Sequence, residues 1–207
     1  IGSINFAIIV SKLFAQKDIR DYGSGNAGMT NVLRTFGKLP AVITTVGDFC
    51  KGIIAVLLGH LIIQFVGGAT EVFYADYLMA LLALLGHCFP VFYGFKGGKG
   101  IAATAGLILA IHPAFIPMGV ILFFGTFLLT HYVSLGSLLV YAGFLIEMVI
   151  MGQMDLFSMP VGHRTEMYVI AAFLTAMAYW KHRENIKRLL SGTERKTYLF
   201  KKNKEAV

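Results

Sequence analysis

Charged residues are scarce in this 207-residue chain. Asp, Glu, Lys and Arg together make up 14% of the sequence, whereas 57% of the residues are apolar. The mean hydropathy of +0.70 lies far outside the range that soluble domains usually show. Long apolar stretches recur along the whole chain, so a removable signal peptide does not account for them. The composition therefore excludes an ordinary soluble protein and indicates lipid as the solvent for much of the surface.

Cysteine is also rare, and familiar catalytic motifs are missing. Cys50 and Cys88 sit within apolar runs without the paired spacing of metal sites or disulfide frameworks. The polar segments offer no carboxylate cluster for Mg²⁺, and we predict neither a metal nor a cofactor. There is no Gly-x-Ser-x-Gly elbow and no His-Glu-x-x-His. No histidine is followed five residues later by aspartate, which disfavours acyltransferases that use a His-x-x-x-x-Asp pair.

Seven apolar stretches are candidates for membrane-spanning helices, which need about 20 residues each. They are residues 1–15, 39–66, 77–92, 101–111, 114–129, 133–151 and 167–180. The stretch 101–111 is short, and His112-Pro113 breaks the chain after it. It is therefore either a short span or a re-entrant segment, and a re-entrant segment would reverse the orientation of everything that follows.

The basic residues orient these spans, because Lys and Arg concentrate in cytoplasmic loops. With the N-terminus outside, sixteen of the eighteen Lys and Arg residues fall on the inner side. The net charge of +7 thus lies between spans, at the lipid surface, and does not indicate a nucleic-acid partner. We predict an all-α, polytopic integral membrane protein with seven transmembrane helices and a cytoplasmic C-terminus. Residues 1–207 form one domain, with a basic tail from about 181.

The segment 22–34, predicted to be a loop on the inner side, combines glycines with hydrogen-bond donors. Its sequence is Tyr-Gly-Ser-Gly-Asn-Ala-Gly-Met-Thr-Asn-Val-Leu-Arg. Glycines allow backbone amides to point into a concavity. The side-chain donors are Ser24, Asn26, Thr30, Asn31 and Arg34. Such a set suits an oxyanion, and the alternative is a flexible polar connector.

A second glycine-rich segment, Lys96-Gly97-Gly98-Lys99-Gly100, precedes a helix-compatible run. Glycines before a helix expose unpaired N–H groups and the positive end of the helix dipole, and Lys99 adds a full charge. The pattern predicts a phosphate cradle. It is not a Walker loop, because Gly100 stands where a metal-binding Ser or Thr would be. The alternative is a glycine hinge with two lysines that reach the lipid interface.

A third polar segment, residues 181–194, follows the last predicted span. If the helix continues into the cytoplasm, His182 and Asn185 share one face and Gly192 is a C-terminal cap. The alternative is a polybasic tail that binds anionic lipid. Within the spans, Asp48 and Lys51 are spaced to form a buried ion pair, and the alternative is that they border a polar cavity. Ser134 and Ser137 stand at the inner end of the sixth span.

These segments, taken in order, resemble the bacterial acyl-phosphate:glycerol-3-phosphate acyltransferases of the PlsY type. The similarity covers nearly the whole chain, through residues 1–4, 24–31 with Arg34, 86–90 with 95–100, and 182–194. The departures are Ala27 and Asn5, where the family usually has proline, and Met29, where it usually has alanine. They affect the shape of the segments rather than their charge.

The resemblance implies transfer of a fatty acyl group from acyl phosphate to the 1-hydroxyl of glycerol 3-phosphate, which yields lysophosphatidic acid and phosphate. It also implies a seven-span fold in the bacterial plasma membrane with the active site facing the cytoplasm. We expect acyl phosphate, glycerol 3-phosphate and membrane lipid as partners, and a monomer. The residues that would surround the substrates' phosphates, our predicted catalytic set, are Ser24, Arg34, Lys99, Ser137, His182 and Asn185. The further predicted phosphate-binding residues are Gly25, Asn26, Thr30, Asn31, Lys96, Gly97, Gly98, Gly100 and Arg188.

Without a conventional nucleophile and base, direct attack by the glycerol hydroxyl is the economical mechanism. Phosphate itself can take up the proton, because its second pKa is near 6, and His182 is then a phosphate ligand rather than the base. The alternative function is a transporter of a phosphorylated solute. A transporter usually shows repeated halves with binding residues near the midplane, whereas the donor clusters here lie on one predicted face.

Overall fold

The computed structural model describes residues 1–66, 72–156 and 161–198. Within these residues the chain is helical and contains no β-strand. The α-helices are α1 (Phe6–Ala15), α2 (Met29–Phe36), α3 (Lys38–Val66), α4 (Val72–Cys88), α5 (Ile101–Ile111), α6 (Ile116–Thr130), α7 (Val133–Gln153), α8 (Val161–Lys181) and α9 (Arg183–Leu190). The predicted all-α class is confirmed for this part of the chain.

Four stretches of the described chain are long and apolar enough to cross a membrane. They are Lys38–Val66, Ala75–Tyr93, Pro113–Thr130 and Val133–Gln153. The other three predicted spans also coincide with helices, but α1 and α5 are shorter and α8 is less apolar than the four. The chain is thus an integral membrane protein by composition and helix length, and the seven-span count stays a prediction.

Two helix boundaries differ from the sequence prediction. The first span does not begin at Ile1, because Asn5 caps α1 through its side-chain oxygen, which accepts the Ile8 N–H at 3.1 Å. The segment 22–34 is not a loop throughout, because α2 begins at Met29. Its many glycines suggested irregular structure, but all of them precede the helix. Thr30, Asn31 and Arg34 are therefore held on a helix rather than on a mobile connector.

Helix α3 packs against α1, α2, α4 and α5 and so forms the hub of the fold. Small residues bring α3 and α5 together: a Cβ on Gly52 would meet the Ala103 carbonyl group, and a Cβ on Gly106 would meet that of Phe49. Such close approach is typical of helix pairs in membranes, where van der Waals packing replaces the hydrophobic effect. It fixes the N-terminus of α5, and with it Gly100, beside α3.

A buried polar cluster joins α3, α4 and the N-terminal segment. The predicted pair is present, with Lys51 Nζ 2.7 Å from Asp48 Oδ1. Lys51 Nζ also donates to the Ile4 carbonyl oxygen at 2.6 Å and lies 2.7 Å from His87 Nδ1. The sequence did not indicate the part that His87 plays. A charge within a membrane protein is costly unless it is paired. These contacts therefore hold α3, α4 and the N-terminal segment together beside the site described below.

Candidate active site

A polar cavity of about 100 Å³ lies where α2, α7, α9 and the segment before α5 meet. All six residues of the predicted catalytic set line it: Ser24, Arg34, Lys99, Ser137, His182 and Asn185. Five of the further predicted residues line it as well: Asn26, Thr30, Asn31, Gly100 and Arg188. The structure therefore brings together segments as far apart in the chain as Ser24 and Arg188.

The other four predicted phosphate-binding residues do not line the polar cavity. Gly25 forms a turn with positive φ (+70°), in which its N–H bonds to the Tyr22 carbonyl oxygen at 2.9 Å. Lys96 lies on an exposed turn. Gly97 and Gly98 pack against the chain at His87, where a Cβ on either would collide with His87 or its neighbours. These glycines are needed for close packing, which the sequence pattern alone did not distinguish from ligand binding.

Two helix N-termini border the polar cavity. Gly28 precedes α2 and Gly100 precedes α5, and neither helix has a side-chain cap. Both glycines and the first residues of both helices line the cavity. Uncapped N-termini present unpaired N–H groups and a partial positive charge, which together favour anions. This arrangement provides two backbone donor sets for phosphate oxygens.

Asn31 shapes the α2 side of the cavity. Its amide oxygen accepts the Ser24 N–H at 3.0 Å, and its Nδ2 donates to the Tyr22 carbonyl oxygen at 2.9 Å and to that of Asn26 at 3.2 Å. Because the amide donors already bind the backbone, Asn31 holds the Ser24 turn in place. Ser24, Asn26, Thr30 and Arg34 of the same segment also line the cavity.

Lys99 supplies a charge at the centre of the polar cavity. Its ammonium group donates to Asn185 Oδ1. Burial lowers the pKa of Lys99 to about 8; the nearby Arg188 also lowers the pKa, and Glu194 opposes the shift. The group is therefore largely charged at neutral pH but close to its titration midpoint. An anionic ligand would favour the charged form.

Glu194 organises the α9 side of the cavity, although the predicted site did not include it. Its carboxylate accepts Asn185 Nδ2 at 2.8 Å and Arg188 Nε at 2.9 Å. The turn after α9 positions it: the predicted cap Gly192 has φ +70°, and the Thr193 N–H bonds to the Arg188 carbonyl oxygen at 2.8 Å. This is a Schellman motif. In the sequence, Glu194 is visible only as the residue two positions after the predicted cap Gly192, and this spacing by itself indicates no role for the carboxylate.

His182 interrupts the helix between α8 and α9 instead of continuing it. Its Nδ1 lies 2.7 Å from the Ala178 carbonyl oxygen, which can only accept, so Nδ1 carries the proton. Burial, and then the charge of Lys99, lower the pKa of His182 to about 4. The neutral ring therefore presents Nε2 as a hydrogen-bond acceptor. Such an atom suits a hydroxyl group better than a phosphate oxygen.

The last described residues, 193–198, form a strap across Arg34. Arg34 Nη2 donates to the Arg195 carbonyl oxygen at 2.9 Å and to Thr197 Oγ1 at 2.6 Å. The Thr197 N–H bonds to the His131 carbonyl oxygen at 3.0 Å. Part of the predicted basic tail is therefore folded against the cavity, while residues 199–207 lie outside the described part.

The two serines of α7 both line the polar cavity but differ in their bonding. Ser137 Oγ donates to the Val133 carbonyl oxygen at 2.9 Å. Ser134 Oγ is buried and has no hydrogen-bond partner among the described residues. A buried unpaired hydroxyl is costly, so Ser134 is a candidate ligand-binding group beside Ser137. Both positions agree with the sequence, which predicts the two serines at the inner end of this span.

An apolar cavity of about 290 Å³ adjoins the polar one. The two cavities share the lining residues Met29, Thr30, Ile101, Ala102 and Val133. Aliphatic and aromatic side chains of α5, α6 and α7 form most of its remaining wall. The amino-acid sequence does not indicate this cavity, because the cavity depends on how the helices pack. A molecule with an anionic head and an apolar tail would fit the combined space.

The described residues contain no group of three or more His, Cys, Asp or Glu side chains that could hold a metal ion. Asp48 and His87, which line the polar cavity, form a pair with Lys51 between them. The Lys51 ammonium group already neutralises the Asp48 carboxylate. That the protein needs no metal stays a prediction, which the effect of EDTA on its activity would test.

Comparison with known proteins places these features in one family. Residues 1–192 match the family described as "Glycerol-3-phosphate acyltransferase". A glycerol-3-phosphate acyltransferase of Clostridioides difficile (strain 630) is 41% identical over 196 residues, which cover 95% of this chain and 90% of the relative. One from Halalkalibacterium halodurans is 39% identical over 197 residues, with the same coverage.

Two solved structures are also similar. The crystal structure of PlsY (YgiH), an integral membrane glycerol 3-phosphate acyltransferase, in its glycerol 3-phosphate form has a TM-score of 0.80 and 34% identity. The match covers 97% of this chain and 94% of PlsY. The lysophosphatidic acid form has a TM-score of 0.77 and 33% identity, and the match covers 96% of this chain and 90% of that one.

Proposed function

This chain belongs to the glycerol-3-phosphate acyltransferase family, and we propose that it acylates the 1-hydroxyl of glycerol 3-phosphate with acyl phosphate as the donor. The products are lysophosphatidic acid and inorganic phosphate. Related PlsY structures are described with glycerol 3-phosphate and with lysophosphatidic acid, which are the acceptor and the product of this reaction. The reaction would be an early step in phospholipid synthesis.

The choice of donor depends on one observation: a small polar cavity rich in cations and N–H groups adjoins a larger apolar one and shares five lining residues with it. An acyl phosphate likewise has a compact anionic head, which matches the polar cavity, and an apolar chain, which matches the apolar one. An acyl thioester of coenzyme A would instead bring a long nucleotide, for which a polar cavity of about 100 Å³ has little room. The geometry therefore favours acyl phosphate.

The predicted catalytic residues take distinct roles in this proposal. Arg34, Lys99 and Arg188 provide charge for the two phosphate groups, with the N-termini of α2 and α5 as backbone donors. Ser24 and Ser137 add hydroxyl donors, and Ser134 joins them. Asn185 places the Lys99 ammonium group through its hydrogen bond. Asn26 and Thr30 line the same cavity on the side of α2.

The neutral tautomer of His182 supports a contact with the glycerol backbone. Nε2 would accept the hydrogen bond of a glycerol hydroxyl, while Nδ1 stays bonded to the Ala178 carbonyl oxygen. This is a different partner from the phosphate that the sequence suggested. It directs a hydroxyl group towards the acyl carbonyl group without requiring His182 to become charged.

The chemical step is a direct acyl transfer. The 1-hydroxyl oxygen of glycerol 3-phosphate attacks the acyl carbonyl carbon, and a new C–O ester bond forms. The bond between that carbon and the bridging oxygen of acyl phosphate breaks, and its electron pair leaves with phosphate. The hydroxyl proton passes to an oxygen of the departing phosphate, which leaves as hydrogen phosphate. Cations and N–H groups around the polar cavity stabilise the charge that develops.

We further propose that residues 1–207 form one membrane domain and function as a monomer in the bacterial plasma membrane. Seven spans would place the N-terminus outside and the basic segment from about 181 in the cytoplasm. Ser24, Lys99 and His182 line one cavity, which supports a shared side for the three polar segments. That side would be the cytoplasm, from which the water-soluble glycerol 3-phosphate would enter the site.

A donor comparison tests this function. Purified protein is incubated with labelled glycerol 3-phosphate and either palmitoyl phosphate or palmitoyl-CoA, and labelled lysophosphatidic acid is measured. Activity with palmitoyl phosphate, accompanied by equimolar phosphate release and unchanged by EDTA, is expected. Activity with palmitoyl-CoA alone would overturn the donor assignment, and a rate restored only by Mg²⁺ would reveal an unrecognised metal site.

A further inference from the structure

The apolar cavity runs along α5, away from the polar cavity. Ile101 and Ala102 line both cavities, whereas Ala105 and Ile108 line only the apolar one. At a rise of about 1.5 Å per residue, Ile108 lies roughly 10 Å from Ile101 along the helix. Phe115 and the first turn of α6 therefore stand at the far end, because α6 begins just after α5 ends.

Phe115 closes this far end as a fixed wall. Its side chain is 2% exposed and belongs to a packed cluster with Ile108 and Met148. Its ring meets the Phe144 ring edge to face, with 5.0 Å between the ring centroids. Aromatic pairs in this geometry are favourable, so Phe115 does not swing aside without breaking packing on its other face.

Gly119 leaves space beside that wall. It lies one helical turn after Phe115 and lines the apolar cavity. A Cβ built on Gly119 meets no atom within 4 Å, so glycine is not required there for helix packing. Gly125 on the same helix offers a matched comparison: a Cβ there also meets no atom within 4 Å, but Gly125 does not line the cavity.

We infer that Phe115 and Gly119 together set the length of acyl chain that the enzyme accepts. This inference rests on the proposed function, because the occupant of the apolar cavity is taken to be the tail of the acyl phosphate. The lining residues that this cavity shares with the polar cavity identify that occupant. Phe115 limits how far the acyl chain extends into the apolar cavity. The absence of a side chain at Gly119 leaves room for the terminal methylene groups of that acyl chain.

The test compares Gly119→Leu with Gly125→Leu, using decanoyl phosphate and palmitoyl phosphate as donors. Each methylene that is denied burial weakens binding by about fourfold. A leucine at 119 that excludes two or more methylenes should lower kcat/KM for palmitoyl phosphate by at least about tenfold. The decanoyl value should change by less than about twofold, which also shows that the variant is folded. Gly125→Leu should match the wild type with both donors.

Three results separate the possible failures. An unchanged ratio of palmitoyl to decanoyl activity in Gly119→Leu would overturn the inference and leave the proposed function intact. An equal change in Gly125→Leu would overturn it as well, by showing a general effect of leucine on α6. Wild-type protein that acylates glycerol 3-phosphate from neither acyl phosphate would instead refute the proposed function.

A second variant tests the wall itself. Phe115→Leu keeps an apolar side chain but shortens it, so the ratio of stearoyl to palmitoyl activity should rise by about fourfold or more, because extra methylenes become buried. Thermal unfolding in detergent verifies that the variant is folded. A folded Phe115→Leu protein with the wild-type ratio would show that Phe115 does not limit the chain.

Discussion

Lys99 is a buried ammonium group whose charge depends on pH near neutrality. Because burial lowers its pKa to about 8, the charged fraction falls as the pH rises through that value. The profile of kcat/KM reports groups of the free enzyme. We therefore expect kcat/KM to decline above about pH 8 in the wild type.

Lys99→Arg is the matched variant, because its guanidinium group stays charged throughout this range. Its absolute rate should be lower, since the planar group does not reproduce the contact with Asn185. Its decline near pH 8 should nevertheless disappear. A decline at the same pH in both proteins would assign the titration to another group.

His182 is expected to orient a substrate hydroxyl group rather than to act as the obligatory base. Its pKa of about 4 makes it a weak base, and Nδ1 is engaged with Ala178. His182→Gln retains an acceptor and should keep clearly more activity than His182→Ala. If phosphate takes the proton, the rise in activity near pH 6 persists in His182→Gln. Loss of that rise, with Gln as inactive as Ala, would make His182 the base.

The strap of residues 193–198 stabilises the site through Arg34. Thr197→Val keeps the shape of the side chain but removes the hydroxyl that accepts Arg34 Nη2 at 2.6 Å. Loss of a hydrogen bond to a charged group costs about 1.5–3 kcal/mol. We expect a lower Tm in detergent and a raised KM for glycerol 3-phosphate.

The exposed Thr193 in the same segment provides the control for that experiment. Thr193→Val should change stability by less than about 0.5 kcal/mol, because its exposed hydroxyl bonds to that of Ser191 at the surface. Similar losses of Tm in the two variants would mean that the strap is not anchored through Thr197. An unchanged KM in Thr197→Val would separate the strap from substrate binding.

At the scale of helices, sequence reasoning succeeded where hydrophobicity decides the structure. The apolar lengths of α3 and α7 and the spacing of Asp48 and Lys51 require no knowledge of neighbouring helices. The start of α2 was missed, because the glycines before Met29 favour a loop. His182 was predicted to continue a helix that in fact breaks there.

The candidate site was predicted in part, for a related reason. Residue chemistry pointed to Lys99, Arg34 and Asn185, and all three line one cavity. The structural use of Gly98 and the apolar cavity depend on contacts between distant segments, which local patterns do not encode. Glu194 was visible only as one member of a motif, since its two hydrogen bonds form after α9 and its turn have folded.

The arrangement of the whole molecule in the membrane can be tested with two cysteine probes. Cys50 and Cys88 are first replaced, and Lys96→Cys or Ala114→Cys is then introduced at exposed positions. Seven spans predict that a membrane-impermeant thiol reagent reaches position 96 only from the cytoplasmic side. The same reagent should reach position 114 only from outside, because α5 would cross the bilayer between them.

Retained activity of each cysteine variant provides the control for folding. Labelling of both positions from the cytoplasmic side would identify α5 as a re-entrant segment, and the orientation of α6, α7 and α8 would reverse. Labelling of position 96 from outside would contradict the proposed side of the active site.

In the proposed mechanism, acyl phosphate reacts with glycerol 3-phosphate in the polar cavity that contains Lys99. Lys96 lies three residues earlier on the same segment but is exposed and outside the cavity, so it is a matched control. The measurement is the rate of lysophosphatidic acid formation from palmitoyl phosphate in Lys99→Ala and Lys96→Ala. Loss of a transition-state donor costs about 2.7–4 kcal/mol, so Lys99→Ala should lose about 10²–10³-fold in kcat/KM, while Lys96→Ala stays within about twofold. Near-normal kcat/KM in Lys99→Ala, or an equal loss in both variants, would show that the reaction does not take place in this cavity.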